Sequence, residues 1–254
     1  MSDMLQESRD GDVAILTLDY PQRRNALAMP MRSALIAAID RLEGDQNLRA
    51  IVLTGSGGHF CAGGDISGMN SADFPSGRER FRITHRLVRG MIECAKPIIA
   101  AVEGWAVGAG LGLALGCDTI VAAEDAKFMA GFGKIGLVAD FGLLHTLPKR
   151  IGEGRARQMF IHGIQVDAHR GEAIGLVDVL APSGGALAKA VEMAHALSAT
   201  APIPIAMTKS YLAQGLGDAL EWERNVQSTM FLTADHVEGR SAFMEKRKPA
   251  FTGR

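Results

Sequence analysis

The stretch IVLTGSGGHFCAGGDI, residues 51–66, runs from a β-branched apolar segment into a loop holding five glycines. The same design recurs in KPIIAAVEGWAVGAGLGLALGCD, residues 96–118. Each reads as a buried strand followed by a glycine-rich turn, and α/β proteins bind ligands beyond such strand ends. Glycine and alanine let backbone N–H groups face a ligand with no side chain between. Two N–H groups converging on one point would form an oxyanion hole for an acyl carbonyl. Either loop alone is equally well read as a plain glycine turn.

Strand and helix signals alternate around these stretches. Residues 13–19 suit a strand. Pro30 fits a first helical turn, Met31, Leu35, Ile39 and Leu42 follow at helical spacing, and Gly44 offers a stop. RAIVLTG (49–55), PIIAAV (97–102) and DTIVAA (118–123) read as buried strands. A helix is expected over 78–95 with Phe81, Leu87, Val88, Met91 and Ile92 inward, and VDVL (177–180) is the last strand signal. Beyond Gly184 nearly everything is helical. The pattern predicts an α/β core over 1–183 and an α-helical region over 184–254, divided at APSGG (181–185).

Composition narrows the function. The 254 residues carry 27 Lys+Arg against 28 Asp+Glu, a formal charge of -1, which argues against nucleic acid or an anionic membrane as partner. Cys61, Cys94 and Cys117 are widely spaced, with no CxxC, so neither a disulfide framework nor a thiolate zinc site is expected. The opening MSDMLQESRDGD lacks a signal-peptide pattern, and the apolar Gly104–Cys117 stretch is too short and glycine-rich to span a bilayer. The expected location is the cytoplasm. GAGLGL (108–113) fails the dinucleotide fingerprint because Leu113 takes the last position. No P-loop, GxSxG or HExxH occurs, and no metal site is expected.

Taken together, residues 51–66, 96–118, FGKIGLVADFGLLHTLPKRIG (132–152) and EGRSAFMEKRKPAFTGR (238–254) resemble the enoyl-CoA hydratase/isomerase (crotonase) superfamily. The resemblance runs from about residue 12 to the C-terminus. It implies a ClpP-like spiral of ββα units, a C-terminal α-helical trimerisation region, and assembly as a homotrimer or a dimer of trimers. It also implies acyl-CoA thioester substrates, with CoA arriving as part of the substrate and no separate cofactor. By position, the oxyanion donors are the N–H groups of Gly64 and Ala109. Arg24, Ala26, Ala62, Asp65 and Ile66 match the lining of the CoA channel, and Lys246 matches a basic residue that reaches the CoA phosphates, sometimes of a neighbouring subunit. Arg24 and Lys246 are equally well read as solvated surface charges. The acyl pocket is expected at Met69 and Phe132, bordered by the loop 69–78.

Hydratases of this family resemble one another in using two glutamates. Here Gly112 and Phe132 occupy those positions, and neither can move a proton. Asp140 remains, and the resemblance gives an aspartate there to members that shift double bonds, including the ring-epoxyphenylacetyl-CoA isomerase group. One carboxylate suffices for a 1,3-proton shift, and an apolar site near Phe132 should raise its pKa by desolvation. Without the resemblance, Asp140 reads as a helix N-cap ahead of GLLHTLPK. A hydratase with some other acid/base group, and a catalytically silent acyl-CoA binder, are the alternatives. His85 reads as an exposed helix position, Cys61 as a small buried residue, and Glu93 and His145 could border a pocket.

Overall fold

The computed structural model describes residues 3–69 and 73–254. The chain opens with a hairpin, β1 (Leu5–Asp10) and β2 (Val13–Leu18), turned at Gly11, whose φ is 58°. β1 is polar because it is the outer strand of the sheet, so it leaves no periodic signal in the sequence. α1 (Met29–Glu43) and β3 (Ala50–Gly55) follow close to where the spacing puts them. α2 (Phe74–Ile92) starts four residues before the expected helix. Asp73 accepts from the Ser76 N–H while the Ser76 hydroxyl accepts from the Asp73 N–H, a reciprocal cap, and Pro75 fits the first turn.

Next come β4 (Ile98–Val102), β5 (Trp105–Val107), α3 (Ala109–Leu115), β6 (Thr119–Ala123) and β7 (Lys127–Met129). α4 (Leu143–Ile151), α5 (Glu153–Ile161), β8 (Gln165–Asp167), α6 (Ala168–Ala173) and β9 (Val179–Ala181) complete the α/β core. Four further helices close the chain: α7 (Ala186–Ala196), α8 (Pro202–Leu212), α9 (Leu216–Met230) and α10 (Ala234–Glu245). Strands order as β1-β2-β3-β4-β6-β9 in one sheet and β5-β7-β8 in a second. β2, β3, β4, β6 and β9 run parallel. No helix among the described residues is long and apolar enough to cross a membrane.

The parallel strands are apolar on both faces because both faces are covered. Ile51 and Leu53 face the main core with Ile98, Ala100 and Val102, while Ala50 and Val52 face the other way with Ile99 and Ala101. That second face packs on α7, whose Ala186, Ala190 and Ala194 recur every four residues and let the helix approach closely. The division expected at 183/184 falls in the turn before α7, which thus packs back onto the sheet. On the main-core side α2 lies between α1 and α9. α9 thereby reaches the segment just before α4.

The stretch read as glycine-rich loop between β4 and β6 holds β5 and α3, all seven residues of α3 being buried. A Cβ at Gly110 would stand 2.3 Å from the Cys61 carbonyl oxygen, so only glycine lets α3 touch the 60–64 loop. Gly110→Ala should lower stability by about 1–3 kcal/mol through overpacking. A reduced urea midpoint with an unchanged denaturant slope is the expected result.

Candidate active site

Two loops are zipped together beyond the ends of β3 and β4. Phe60 N–H donates to Glu103 O at 2.8 Å, Cys61 N–H to Trp105 O at 2.9 Å, and Val107 N–H to Cys61 O at 3.0 Å. A third segment joins them: Ala62 N–H donates to Arg24 O at 2.9 Å and Leu27 N–H to Gly63 O at 2.7 Å. Asn25, fully buried, accepts from Tyr20 N–H and donates to the carbonyls of Ser56 and His59, fixing that third segment. Gly108 N–H donates to Met129 O at 2.8 Å. The N–H groups of Gly64 and Ala109 have no protein acceptor. The loops meet closely there, since a Cβ at Gly63 would stand 2.8 Å from Val107 O and 3.8 Å from Ala109 N.

These two N–H groups border a largely apolar cavity of about 670 Å³, its open mouth included. Ala109, Gly64, Met69 and Phe132 line it, with Asp140 the one carboxylate among the described lining residues. An adjoining groove of about 700 Å³ shares Ala62, Gly64 and Ile66 with the cavity and is lined also by Arg24, Ala26 and Asp65. The Asp65 side chain accepts from Ser67 and caps the 3₁₀ turn Ile66–Gly68.

Asp140 is buried and does not cap α4; the N-cap position is Gly142, with no side-chain cap. Its Oδ2 accepts from Gln227 Nε2 at 3.1 Å, while Oδ1 is buried without a partner. Desolvation chiefly, and then the nearby Glu223 carboxylate, raise the Asp140 pKa to about 6, against the pull of Arg32, Gln227 and Arg80. A neutral-pH base with one unpartnered oxygen, in the wall of an apolar cavity that two unpaired N–H groups also border, is equipped to move a proton beside a polarised carbonyl.

The family model for enoyl-CoA hydratase/isomerase matches residues 8–254. The chain belongs to the enoyl-CoA hydratase/isomerase family. It is similar to a putative enoyl-CoA hydratase of Thermus thermophilus, 37% identical over 95% of this chain and 98% of that one. It is also similar to a 1,2-epoxyphenylacetyl-CoA isomerase of Escherichia coli, 34% identical over 95% of each chain. An enoyl-CoA hydratase structure from Mycobacterium avium subsp. paratuberculosis superposes with a TM-score of 0.89 at 29% identity, covering 98% of both chains. The crotonase fold expected from the sequence is therefore the one present.

Within this crotonase, the space a side chain at position 112 would need is filled. A Cβ at Gly112 would stand 2.8 Å from Phe141 Cβ and 3.0 Å from Phe141 O. Phe141 sits there in a left-handed conformation, φ 61°, which its own residue type disfavours. A buried residue that the sequence does not single out holds it. Glu223, 1% exposed, accepts from Phe141 N–H and Gly142 N–H, both at 2.9 Å. His85 lies 2.7 Å from the same carboxylate and is buried, not the exposed helix position its spacing suggests. Arg32 is also buried, bonded to Leu27 O and the Thr84 hydroxyl, and desolvation lowers its pKa to about 10.

Lys246 ends α10 in a left-handed conformation, exposed and outside the groove, where Phe243 and Met244 of the same helix stand instead. Of the loop expected beside the acyl pocket, residues 70–72 lie outside the described residues, and 74–78 is already α2. Glu93 caps α2 on the outside and pairs with Arg89, and His145 meets Lys149; neither lines the cavity. Cys61 is buried, which pushes its thiol up to about 12 and leaves it unreactive.

An aspartate pKa raised by folding makes the native state hold its proton longer than the unfolded chain does. The associated stability is present at pH 4 and is lost as pH rises through about 6. Asp140→Asn, which can still accept from Gln227, should therefore be more stable than the native protein at pH 8, by about 2 kcal/mol. Thermal melts should show that advantage shrinking to nothing near pH 4.

Proposed function

We propose that this enzyme shifts the double bond of an enoyl-CoA thioester by a 1,3-proton transfer through Asp140. The observation that carries the reading is the single unpaired oxygen, Asp140 Oδ1, buried at the wall of a cavity with no second carboxylate among its described lining residues. Ionised Asp140 takes a proton from C2 of a 3-enoyl thioester. The thioester oxygen, gaining charge, is held by the N–H groups of Gly64 and Ala109. The same carboxyl then returns the proton at C4, leaving the conjugated 2-enoyl product. No electron leaves the substrate, so the step asks for a base and oxyanion donors, with CoA entering as part of the substrate.

Magnitudes fit this division of work. A positioned base contributes about 10² to 10⁴-fold. Each oxyanion donor is worth about 2.7–4 kcal/mol. The hole is therefore the larger contributor, and it depends on backbone alone. Water addition across C2=C3 would need a second proton donor on the cavity wall, and Gly112 and Phe132 stand at the two positions that the resemblance gives to the hydratase glutamates, with Phe141 filling the space over Gly112. The names of several relatives, hydratases of Thermus thermophilus and Rhodobacter capsulatus among them, favour hydration as the second reading.

CoA would lie along the groove at Arg24, Ala26, Ala62, Asp65 and Ile66, with its thioester at Gly64. Lys246 would contribute only to a neighbouring subunit's groove. α8 exposes Ile203, Met207 and Tyr211, which recur every four residues, and this face supports association into a trimer or dimer of trimers.

Turnover of 3-hexenoyl-CoA and crotonyl-CoA tests the reading. The wild type should isomerise the first and hydrate the second negligibly, with kcat/KM falling on the acid side near pH 6 rather than near pH 4. Asp140→Asn should abolish isomerisation. Hydration that survives Asp140→Asn would overturn the assignment. Ala109→Pro deletes one donor at the first position of a helix, where proline is tolerated. It should leave the fold intact and lower kcat about 10²- to 10³-fold. Gly112→Glu should not restore hydration, because Phe141 fills the space.

A further inference from the structure

Glu223 and Gln227 stand four residues apart on α9, and both side chains grip the segment that carries Asp140. Gln227 accepts from Val138 N–H at 3.1 Å and donates to Val138 O at 2.8 Å and Asp140 Oδ2 at 3.1 Å. Glu223 holds the other side of Asp140 through Phe141 N–H and Gly142 N–H. These two residues have φ of 61° and 73°, so consecutive N–H groups converge on one carboxylate. Glu223 and Gln227 are fully buried, and neither lines the cavity. An uncompensated buried carboxylate is expensive, so its three donors, His85 among them, define what it is built to hold.

We propose that Glu223, backed by His85 and paired with Gln227, is a positioning residue for Asp140: it locks the Phe141–Gly142 turn, so that Asp140 presents Oδ1 to the cavity and Phe141 stays over Gly112. This inference rests on Asp140 being the base. The charged groups around Asp140 come from every element packed on it: Glu223 from α9, Arg32 from α1 and Arg80 from α2, with Asp65 facing the two arginines and His85 behind Glu223. Glu223 repels a proton-free Asp140, whereas Gln227 donates to it. Removing either should displace Asp140, but the two losses act on its ionisation in opposite directions.

The test is isomerisation of 3-hexenoyl-CoA from pH 4.5 to 9 by Glu223→Gln and Gln227→Met, with Asp140→Asn alongside and folding checked by circular dichroism. Both positioning variants should lose about 10- to 100-fold in kcat, the scale of a misplaced catalytic group. KM should stay within about threefold, since neither residue touches the CoA groove. The acid limb of kcat should move down in Glu223→Gln and up in Gln227→Met. Folded variants with native kcat and an unmoved limb would overturn the proposal, as would limbs moving in the same direction. If Glu223→Gln does not fold, the upward limb of Gln227→Met supports the proposal and its absence overturns it. An active Asp140→Asn would instead defeat the base assignment itself, a separable outcome.

Discussion

Everything at this site hangs on the short backbone ladder between residues 60–62 and 103–107. Each of its hydrogen bonds contributes only about 1 kcal/mol net. Its consequence is larger than that sum, because it fixes the two loops so that the N–H groups of Gly64 and Ala109, without acceptors, stand beside the same cavity. Such donors cost little to hold ready, since the ladder and the start of α3 fix them whether or not a substrate is bound. The small residues follow from the same constraint. Gly110 cannot carry a Cβ against Cys61, and Gly63 cannot carry one against Val107. The glycine pattern of residues 55–64 and 104–116 is thus a record of how closely the two loops must pass.

The second dependency runs through α9. A base at the wall of an apolar cavity must be buried enough to hold its proton at ordinary acidities, yet kept in one orientation with one oxygen free. Burial supplies the first, and the Glu223–Gln227 pair supplies the second. These demands oppose stability: the ionised Asp140 that would react is the form the fold disfavours. Part of the helical C-terminal region therefore serves the site directly, whatever its part in assembly.

This division explains what the sequence does and does not reveal. The strands at 50–55, 98–102 and 119–123 are legible because both their faces are buried, so they appear as unbroken apolar runs. β1 is hidden by its polar edge position, and β5, β7 and β8 by their length of three residues. Motif and position name Gly64, Ala109 and Asp140, and the structure sets all three around one cavity. His85, Arg32 and Glu223 are not legible, because each looks like an ordinary charge on a helix with polar neighbours. Only the packing of α1, α2 and α9 turns those charges inward, and a single sequence carries no signal of which face that will be. The one local hint is the pair Glu223 and Gln227, four residues apart and so on one helical face.

Gly112 and Phe132 stand where the resemblance gives hydratases their glutamates, and Phe141 is packed over the first of them. A glutamate at 112 would bring a carboxylate into the volume that Phe141 now fills, and with it water to solvate the charge. Phe141 instead fills that volume with apolar surface, and desolvation is the largest of the effects raising the pKa of Asp140. A drier wall strengthens the remaining base and the electrostatic hold of the two N–H groups on a developing oxyanion, since both grow as the local dielectric falls. It also removes the water that hydration would consume. The strained turn that places Phe141 there is the one Glu223 holds, so on the proposed reading a residue remote from the cavity lining would set both where the base stands and how dry its surroundings are.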